Sequence, residues 1–368
     1  MIWILIIILI LHGAIHSFGF FKAFGIGEFE NITKDVSKLN GLIWLFASLT
    51  FIGSAVLLLA NNNNWWLICL VSIIVSQFLI LNYWNDTKFA TIINIILLIF
   101  VFVSYSAQSF KNMVSDEINT LYSEQVTTAQ DWKNGERYGN LPEPVRKWLK
   151  KSGAIKVNNI ESVYLKQNIE MKLSPEQKDW TSAKAQQHFT TNPPAFIWSV
   201  DLTMYGVANV AGRDKFYNGN GEMLIKLLSI IPVADAKENA KTDQASLQRY
   251  LAEIVWFPTA ALSKYIAWES IDSHTAKATL EYNGTSGSGI FLFDENGDFK
   301  SFVADRYKDI EDEEPMKWIV SANRIEERNG IRIPVECEVK WDLDTAEWTW
   351  LKLEISEIEY NKKTEKKN

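Results

Sequence analysis

The sequence predicts an α+β protein: an N-terminal four-helix transmembrane bundle, then a large antiparallel β-meander, curved like a half-barrel, with one long inserted helix. Three observations carry this. Residues 1–110 are dominated by apolar runs without charge, each near the ~20 residues that cross a ~30 Å hydrocarbon core as a helix. From Ile155 onward apolar and polar residues alternate with a period of two, punctuated by Asn-Gly pairs, the pattern of half-buried strands joined by tight turns. One stretch, Thr242 to Leu262, breaks that period with apolar residues three and four apart, as one face of a helix requires.

The chain of 368 residues carries 37 basic and 44 acidic side chains, a net charge of −7. In residues 1–110, Lys22, Lys34, Lys38 and Lys88 balance Glu28, Glu30, Asp35 and Asp86, so the acidic excess lies entirely beyond them. A mildly acidic domain with no basic stripe excludes a nucleic-acid partner, whose phosphates demand clustered Lys and Arg. Cys69 lies in an apolar run and Cys337 in a strand-like one; they read as two small buried hydrophobes rather than a disulfide.

Spans are expected near residues 2–21, 41–60, 65–83 and 89–109. The turn Asn61 to Asn64 is too short for anything but an antiparallel hairpin, and Trp65, Trp66, Tyr83 and Trp84 stand at segment ends where amphipathic rings favour the interface. The first run lacks a basic n-region and three more spans follow it, so it stays as a helix. The four lysines fall on the side of the loops after the first and third spans. The positive-inside bias then expects a multi-pass protein of the bacterial cytoplasmic (inner) membrane, with the C-terminal domain extracytoplasmic. His12 and His16 share one helical face. With no intramembrane acid to complete a site, they read as interhelical hydrogen-bonding groups rather than metal or haem ligands.

Beyond the fourth span, Val114, Ile118, Leu121, Tyr122 and Val126 keep a helical period, so residues 111–140 read as a helical connector and linker. The β domain is expected over 141–360, with helices near 142–152 and 243–257 and a frayed tail at 361–368. Gly153 is placed for a left-handed cap of the first helix; Thr242 or Asp243 is placed to cap the second, which Pro258 ends. Phe196, Trp198, Val200, Leu202 and Met204 alternate with polar neighbours, as do Val335, Cys337, Val339, Trp341 and Leu343. Turn signals at Asn218-Gly219, Asn283-Gly284, Asn296-Gly297 and Asn329-Gly330 space about ten to twelve strands.

The strings LPEPVRKWLKKSG (141–153), HFTTNPPAFIW (188–198), GRDKFYNGNGEMLIKLLSIIPVADA (212–236), DQASLQRYLAEIVWFPTAAL (243–262), VADRY (303–307) and RIPVECEVKW (332–341) follow in one order. They resemble an uncharacterised bacterial family known only as a domain of unknown function, over about Leu141 to Tyr360. That resemblance implies no activity. At the level of fold alone, the meander with its helix also resembles the open half-barrel of periplasmic lipoprotein carriers, which implies an apolar cavity.

The glycine-rich strings carry no chemistry. DENGD at 294–298 has its glycine in the wrong place for a calcium loop and reads as a type I′ hairpin. GTSGSG at 284–289 and GNG at 219–221 open no helix and so cradle no phosphate. His188 and His274 have no metal-spaced partners, and His188 is expected to bond Thr190 or a backbone carbonyl. Arg213, Asp214, Asp235, Asp243, Arg249, Glu253, Asp305 and Arg306 form a polar set that reads first as salt bridges holding helix to sheet, and second as acid–base groups.

A sheet of ten or more strands must curl, while one helix of about 15 residues covers only a few of them, so apolar concave surface should stay open. The expected ligand site is bordered by Trp198, Met204, Leu227, Tyr250, Ile254 and Trp256 and takes a lipid or a lipoprotein acyl chain. No catalytic residue, metal or cofactor is assigned. The rivals are an enzyme using the Arg/Asp/Glu set and a structural or partner-binding module. Geometry separates the three: an apolar cavity, convergent carboxylates in a polar cleft, or a filled core.

Overall fold

The computed structural model describes residues 2–27, 29, 32–126, 136–204, 208–343 and 346–361. The chain divides into two compact units, Met1–Lys111 and Asn112–Asn368.

The first unit holds α1 (Ile2–Ala23), α2 (Lys38–Leu59), α3 (Trp65–Asn82), a single turn α4 (Trp84–Thr87) and the beginning of α5 (Ala90–Ser123). Four of these, α1, α2, α3 and α5, are long and apolar enough to cross a membrane. Their mutual core buries Leu9, Ala47, Phe51, Cys69, Leu79 and Leu97, while Ile7, Leu49, Ile74 and Phe102 point outward and are more than half exposed. Such a surface is costly in water and suited to hydrocarbon. Inside, the histidines join a neutral chain of hydrogen bonds. His12 Nε2 meets Asn94 Oδ1 at 3.1 Å, Asn94 Nδ2 donates to Ser76 Oγ at 3.1 Å, and Ser76 Oγ meets His16 Nε2 at 2.9 Å. His16 Nδ1 lies 2.8 Å from the His12 carbonyl oxygen, so the polar groups inside this apolar bundle are spent on tying α1, α3 and α5 together.

The second unit begins with residues 112–123 of α5, followed by α6 (Glu136–Gly139) and α7 (Glu143–Lys151). Gly153 takes φ 79° after α7, the left-handed cap expected there. Then come β1 (Ser162–Met171), β2 (Thr181–Thr191), β3 (Pro194–Met204), β4 (Ala208–Tyr217), β5 (Asn220–Leu227) and β6 (Ile231–Ala236). After α8 (Ala240–Glu253) follow β7 (Ile266–Ser270), β8 (Thr275–Tyr282), β9 (Thr285–Phe293), β10 (Phe299–Arg306), β11 (Met316–Arg328), β12 (Ile331–Asp342) and β13 (Glu347–Tyr360).

These thirteen strands form one antiparallel sheet in the order β6-β5-β4-β3-β2-β1-β13-β12-β11-β10-β9-β8-β7. The chain therefore steps outward from β1 to β6, crosses through α8 to the opposite edge, and steps back from β7 until β13 pairs with β1. The sheet curls into a half-barrel, and the curl brings two hairpins together. Asn283 Nδ2 donates to Asn218 Oδ1 at 2.5 Å and Thr285 Oγ1 to the Gly219 carbonyl at 2.7 Å, so the β4–β5 turn clasps the β8–β9 turn.

Turn chemistry explains the strand boundaries. At Asn218-Gly219, Asn283-Gly284 and Asn329-Gly330 both residues have positive φ, as type I′ turns need. At Asn296-Gly297 only Gly297 does, at 85°. Asp294 Oδ1 accepts from the backbone N–H of Asn296 and of Asp298, which makes a side-chain-stabilised turn with a bulge in place of the expected type I′ hairpin.

α8 lies inside the curl, against β5 on one arm and β9 on the other. Glycines permit the approach: a Cβ on Gly221 would stand 2.4 Å from Ser246 Oγ, and one on Gly287 would stand 2.9 Å from Leu247 Cδ2. The helix starts earlier than expected because Asn239 caps it, accepting from Lys241 N at 2.9 Å. That frees Asp243 to accept from Gly221 N at 2.7 Å, which fastens the helix to β5. After Glu253 the chain tightens into 3-10 turns at Ile254–Trp256 and Pro258–Leu262, where proline has no N–H to continue an α-helix.

Residues 112–123 of α5 lie on the outer face of the sheet. Glu117 pairs with Arg213 at 3.1 Å and with Lys215 at 3.0 Å, and Tyr122 OH meets His188 Nδ1 at 2.9 Å. His188 thus finds a helix-borne phenol in addition to anything its own strand offers. The sequence around His188 gave no signal of that partner.

Candidate functional site: the open half of the inner face

Cross-strand register identifies the residues that share the inner face. Leu165, Gln187, Trp198, Asp214 and Met223 stand in one row across β1 to β5. Ala304, Trp318, Trp341 and Trp348 stand in another across β10 to β13. At ~4.8 Å per strand the sheet is about 58 Å wide, whereas α8, with 14 residues, is about 21 Å long. One helix therefore covers part of the face and leaves the rest.

Where α8 and its 3-10 turns lie, the face is filled. Phe189, Tyr250, Ile254 and Phe257 are at most 1% exposed. Tyr250 OH donates to the Thr190 carbonyl and Trp256 Nε1 to the Pro334 carbonyl, both at 3.0 Å. Of the expected ligand-site residues, Tyr250, Ile254 and Trp256 belong to this closed core. Trp198 and Leu227 lie beyond the helix and are half-buried. The Met204 side chain lies outside what the structure describes.

The expected polar set divides by strand parity. Asp214, Arg249 and Glu253 come together at the edge of the covered region: Arg249 Nη1 reaches Asp214 Oδ2 at 2.6 Å and Arg249 Nε reaches Glu253 Oε1 at 3.0 Å. The chain continues through Gln187 Nε2, which donates to Glu253 Oε2 at 2.8 Å, and Gln167, whose Oε1 accepts from Trp198 Nε1 at 2.8 Å. The Arg249 guanidinium also stacks over Phe196 and Trp198, about 5 Å from each ring centroid. Burial works against charge at Arg249, but Glu253 and Asp214 more than offset it and hold its pKa up. Burial raises the Glu253 carboxyl against the pull of Arg249 and Gln187.

The other members go elsewhere. Arg213 is on the outer face with Glu117 and Glu222, because adjacent strand residues point to opposite sides. Asp235 is exposed, 3.9 Å from Lys237. Asp243 bonds the β5 backbone, and Asp305 is exposed, offering only its carbonyl to Gln248. Arg306 is on the inner face of β10. Its Nε donates to the Ala245 carbonyl at 3.0 Å, and its guanidinium lies 4.7 Å from the Trp318 ring centroid and 5.7 Å from that of Trp341.

Sequence reasoning missed the tryptophans of the second arm, Trp318, Trp341, Trp348 and Trp350, as site residues. The alternation Trp318, Val320, Ala322 was the available signal. It also missed a cleft of about 180 Å³ lined by Arg137, Asn159, Thr191, Asn192, Thr259 and Tyr265 among others, because these residues come from four separate segments. There Arg137 donates to the carbonyls of Ser263 and Ile266, and Tyr265 OH donates to Asn192 Oδ1 at 3.3 Å.

No curated protein matches the chain. Among solved structures, the crystal structure of LolA superfamily protein NE2245 from Nitrosomonas europaea is similar at 10% identity and a TM-score of 0.35, over 58% of this chain and 92% of that one. Residues 139–360 match a family model, and this stretch holds α7, α8 and all thirteen strands. As the match covers more than half of the chain, the protein belongs to the family of unknown function DUF6920.

Proposed function

We propose that the β unit binds a hydrophobic ligand, a lipid or an acyl chain, on the open half of its inner face, and that the N-terminal helices anchor it in the bacterial inner membrane. One observation carries the reading: Trp198, Ile225, Leu227, Val320, Trp348 and Leu351 belong to the core-facing side of the sheet yet stay only partly buried. Apolar surface of that extent on an inward-curving face is favourable to cover, at roughly 25 cal/mol per Å². The convergent carboxylates needed for acid–base work are instead both held by Arg249, which supports binding over catalysis.

The test is titration of the full chain, held in amphipol, with an environment-sensitive apolar dye and then with fatty acid as competitor. Displaceable dye that is lost in Ile225→Glu/Leu227→Glu supports the reading. A folded chain that takes no dye contradicts it. The placement of Lys22, Lys34, Lys38 and Lys88 supports an extracytoplasmic β unit. An impermeant thiol reagent on intact cells should then label Asn63→Cys and spare Lys34→Cys; the opposite pattern inverts the topology.

A further inference from the structure

The second arm of the inner face has more hydrogen-bond donors than it uses. Among the described residues Arg306 pairs with no carboxylate: its one hydrogen bond is from Nε to the Ala245 carbonyl, and the rest of the guanidinium rests on Trp318 and Trp341. Trp318 is 4% exposed, and its Nε1 has no acceptor; the buried Nε1 of Trp348, in the same cross-strand row, has none either. Against these, among the described residues the one buried neutral side-chain acceptor left without a partner is Gln248 Oε1. The nearby acids, Asp214 and Glu253, act on Arg306 only at a distance, since both are bound directly to Arg249.

A guanidinium held in apolar surroundings without a counter-charge is unfavourable. Burial, with help from Arg249 and against a smaller opposing pull from Asp214 and Glu253, lowers the Arg306 pKa to about 10, still well above neutral pH, so the group stays charged. A planar cation with free N–H groups on an indole whose own N–H has no acceptor presents the complement of an oxyanion, and guanidinium forks match carboxylate and phosphate oxygens. Partly buried Met316, opposite Arg306, and Val320 and Leu351 further across the same arm are suited to a chain rather than to a small free ion.

We infer that Arg306, with Trp318, receives the anionic head, carboxylate or phosphate, of an amphiphile whose apolar chain lies along the open inner face. This rests on the ligand-binding reading above and names the head group that the reading leaves open. Uncharged lipids of the same chain length should bind more weakly.

The experiment uses the full chain in amphipol and three probes with the same saturated chain: a fatty acid, an alkyl phosphate and a fatty alcohol. Tryptophan emission reports binding. Wild type should prefer at least one anionic probe over the alcohol by about tenfold or more. Preference for the acid assigns a carboxylate head, and preference for the alkyl phosphate assigns a phosphate head. Arg306→Gln should erase that preference while leaving alcohol binding in place, and Arg306→Lys, which keeps charge without the fork, should retain part of it. Should Arg306→Gln fail to fold, the wild-type preference and its reduction in Arg306→Lys decide the matter. Equal binding of all three probes to wild type, or a preference unchanged in Arg306→Gln, overturns the head-group inference and leaves the ligand-binding reading standing. No binding of any probe overturns both.

Discussion

The covered and open halves of the inner face are built from the same strands and the same alternation, yet they differ in nearly every physical respect. Phe196 and Trp198 are two residues apart on one face of β3; the first is fully buried and the second half-buried. Under α8, aromatic rings meet one another, as Phe189 does with Tyr250 at 6.2 Å and Phe257 at 4.9 Å, and the polar tips of Tyr250 and Trp256 are bonded. On the β10–β13 arm, the indole N–H groups of Trp318 and Trp348 lack acceptors, and Arg306, which touches α8 through the Ala245 carbonyl, has no directly bound carboxylate among the described residues. The difference comes from the length of the helix and not from strand composition, since apolar inward residues are supplied to both halves.

The largest expected effect sets one half against the other. Phe189→Ala removes a ring packed among four others and should cost about 3–5 kcal/mol, read as a fall in the thermal midpoint followed by near-UV circular dichroism. Trp348→Ala, on the half-exposed side, should cost about 1 kcal/mol or less. Equal losses would erase the distinction between the halves. A smaller effect lies at the boundary: Glu253→Ala leaves the buried Arg249 with Asp214 alone and should cost about 2–3 kcal/mol.

The same carboxyl gives a pH dependence. Its folded pKa is raised above the ordinary 4.5, so the fold favours the protonated acid. The stability it contributes is complete below that ordinary value and falls away as pH rises through the raised one. Wild type should therefore lose stability at this group as pH increases from about 4 towards neutrality. Glu253→Gln should be flatter over the same range, and an identical slope in both would contradict the burial assigned to Glu253.

Much of this fold is legible in the sequence. The alternation at Phe196 to Met204 and at Val335 to Leu343 marks strands of a large sheet, and charge-free runs mark the four apolar helices. Arg249 and Glu253, members of the expected salt-bridge set, stand four apart on a helix and do form a pair. Parity alone separates Arg213 from Asp214 and Asp305 from Arg306, and treating each couple as one cluster overlooked it. Other features depend on contacts far apart in sequence. Arg249 and Arg306 look alike until β4 brings Asp214 to the first and leaves the second beside tryptophans. Trp318 and Trp348 meet through Trp341 only once strand register is known. The start of α8 turned on Asn239 taking the cap that Thr242 or Asp243 also offered.

The central claim, that the open half of the inner face holds a hydrophobic ligand, is tested most directly by native mass spectrometry of the full chain after extraction from its membrane. Lipid bound around the apolar helices should be shared by wild type and the Ile225→Glu/Leu227→Glu variant. Wild type should carry in addition one amphiphile that survives delipidating washes, and the variant, equally folded by circular dichroism, should lack it. Identical lipid occupancy in the two proteins would contradict the account.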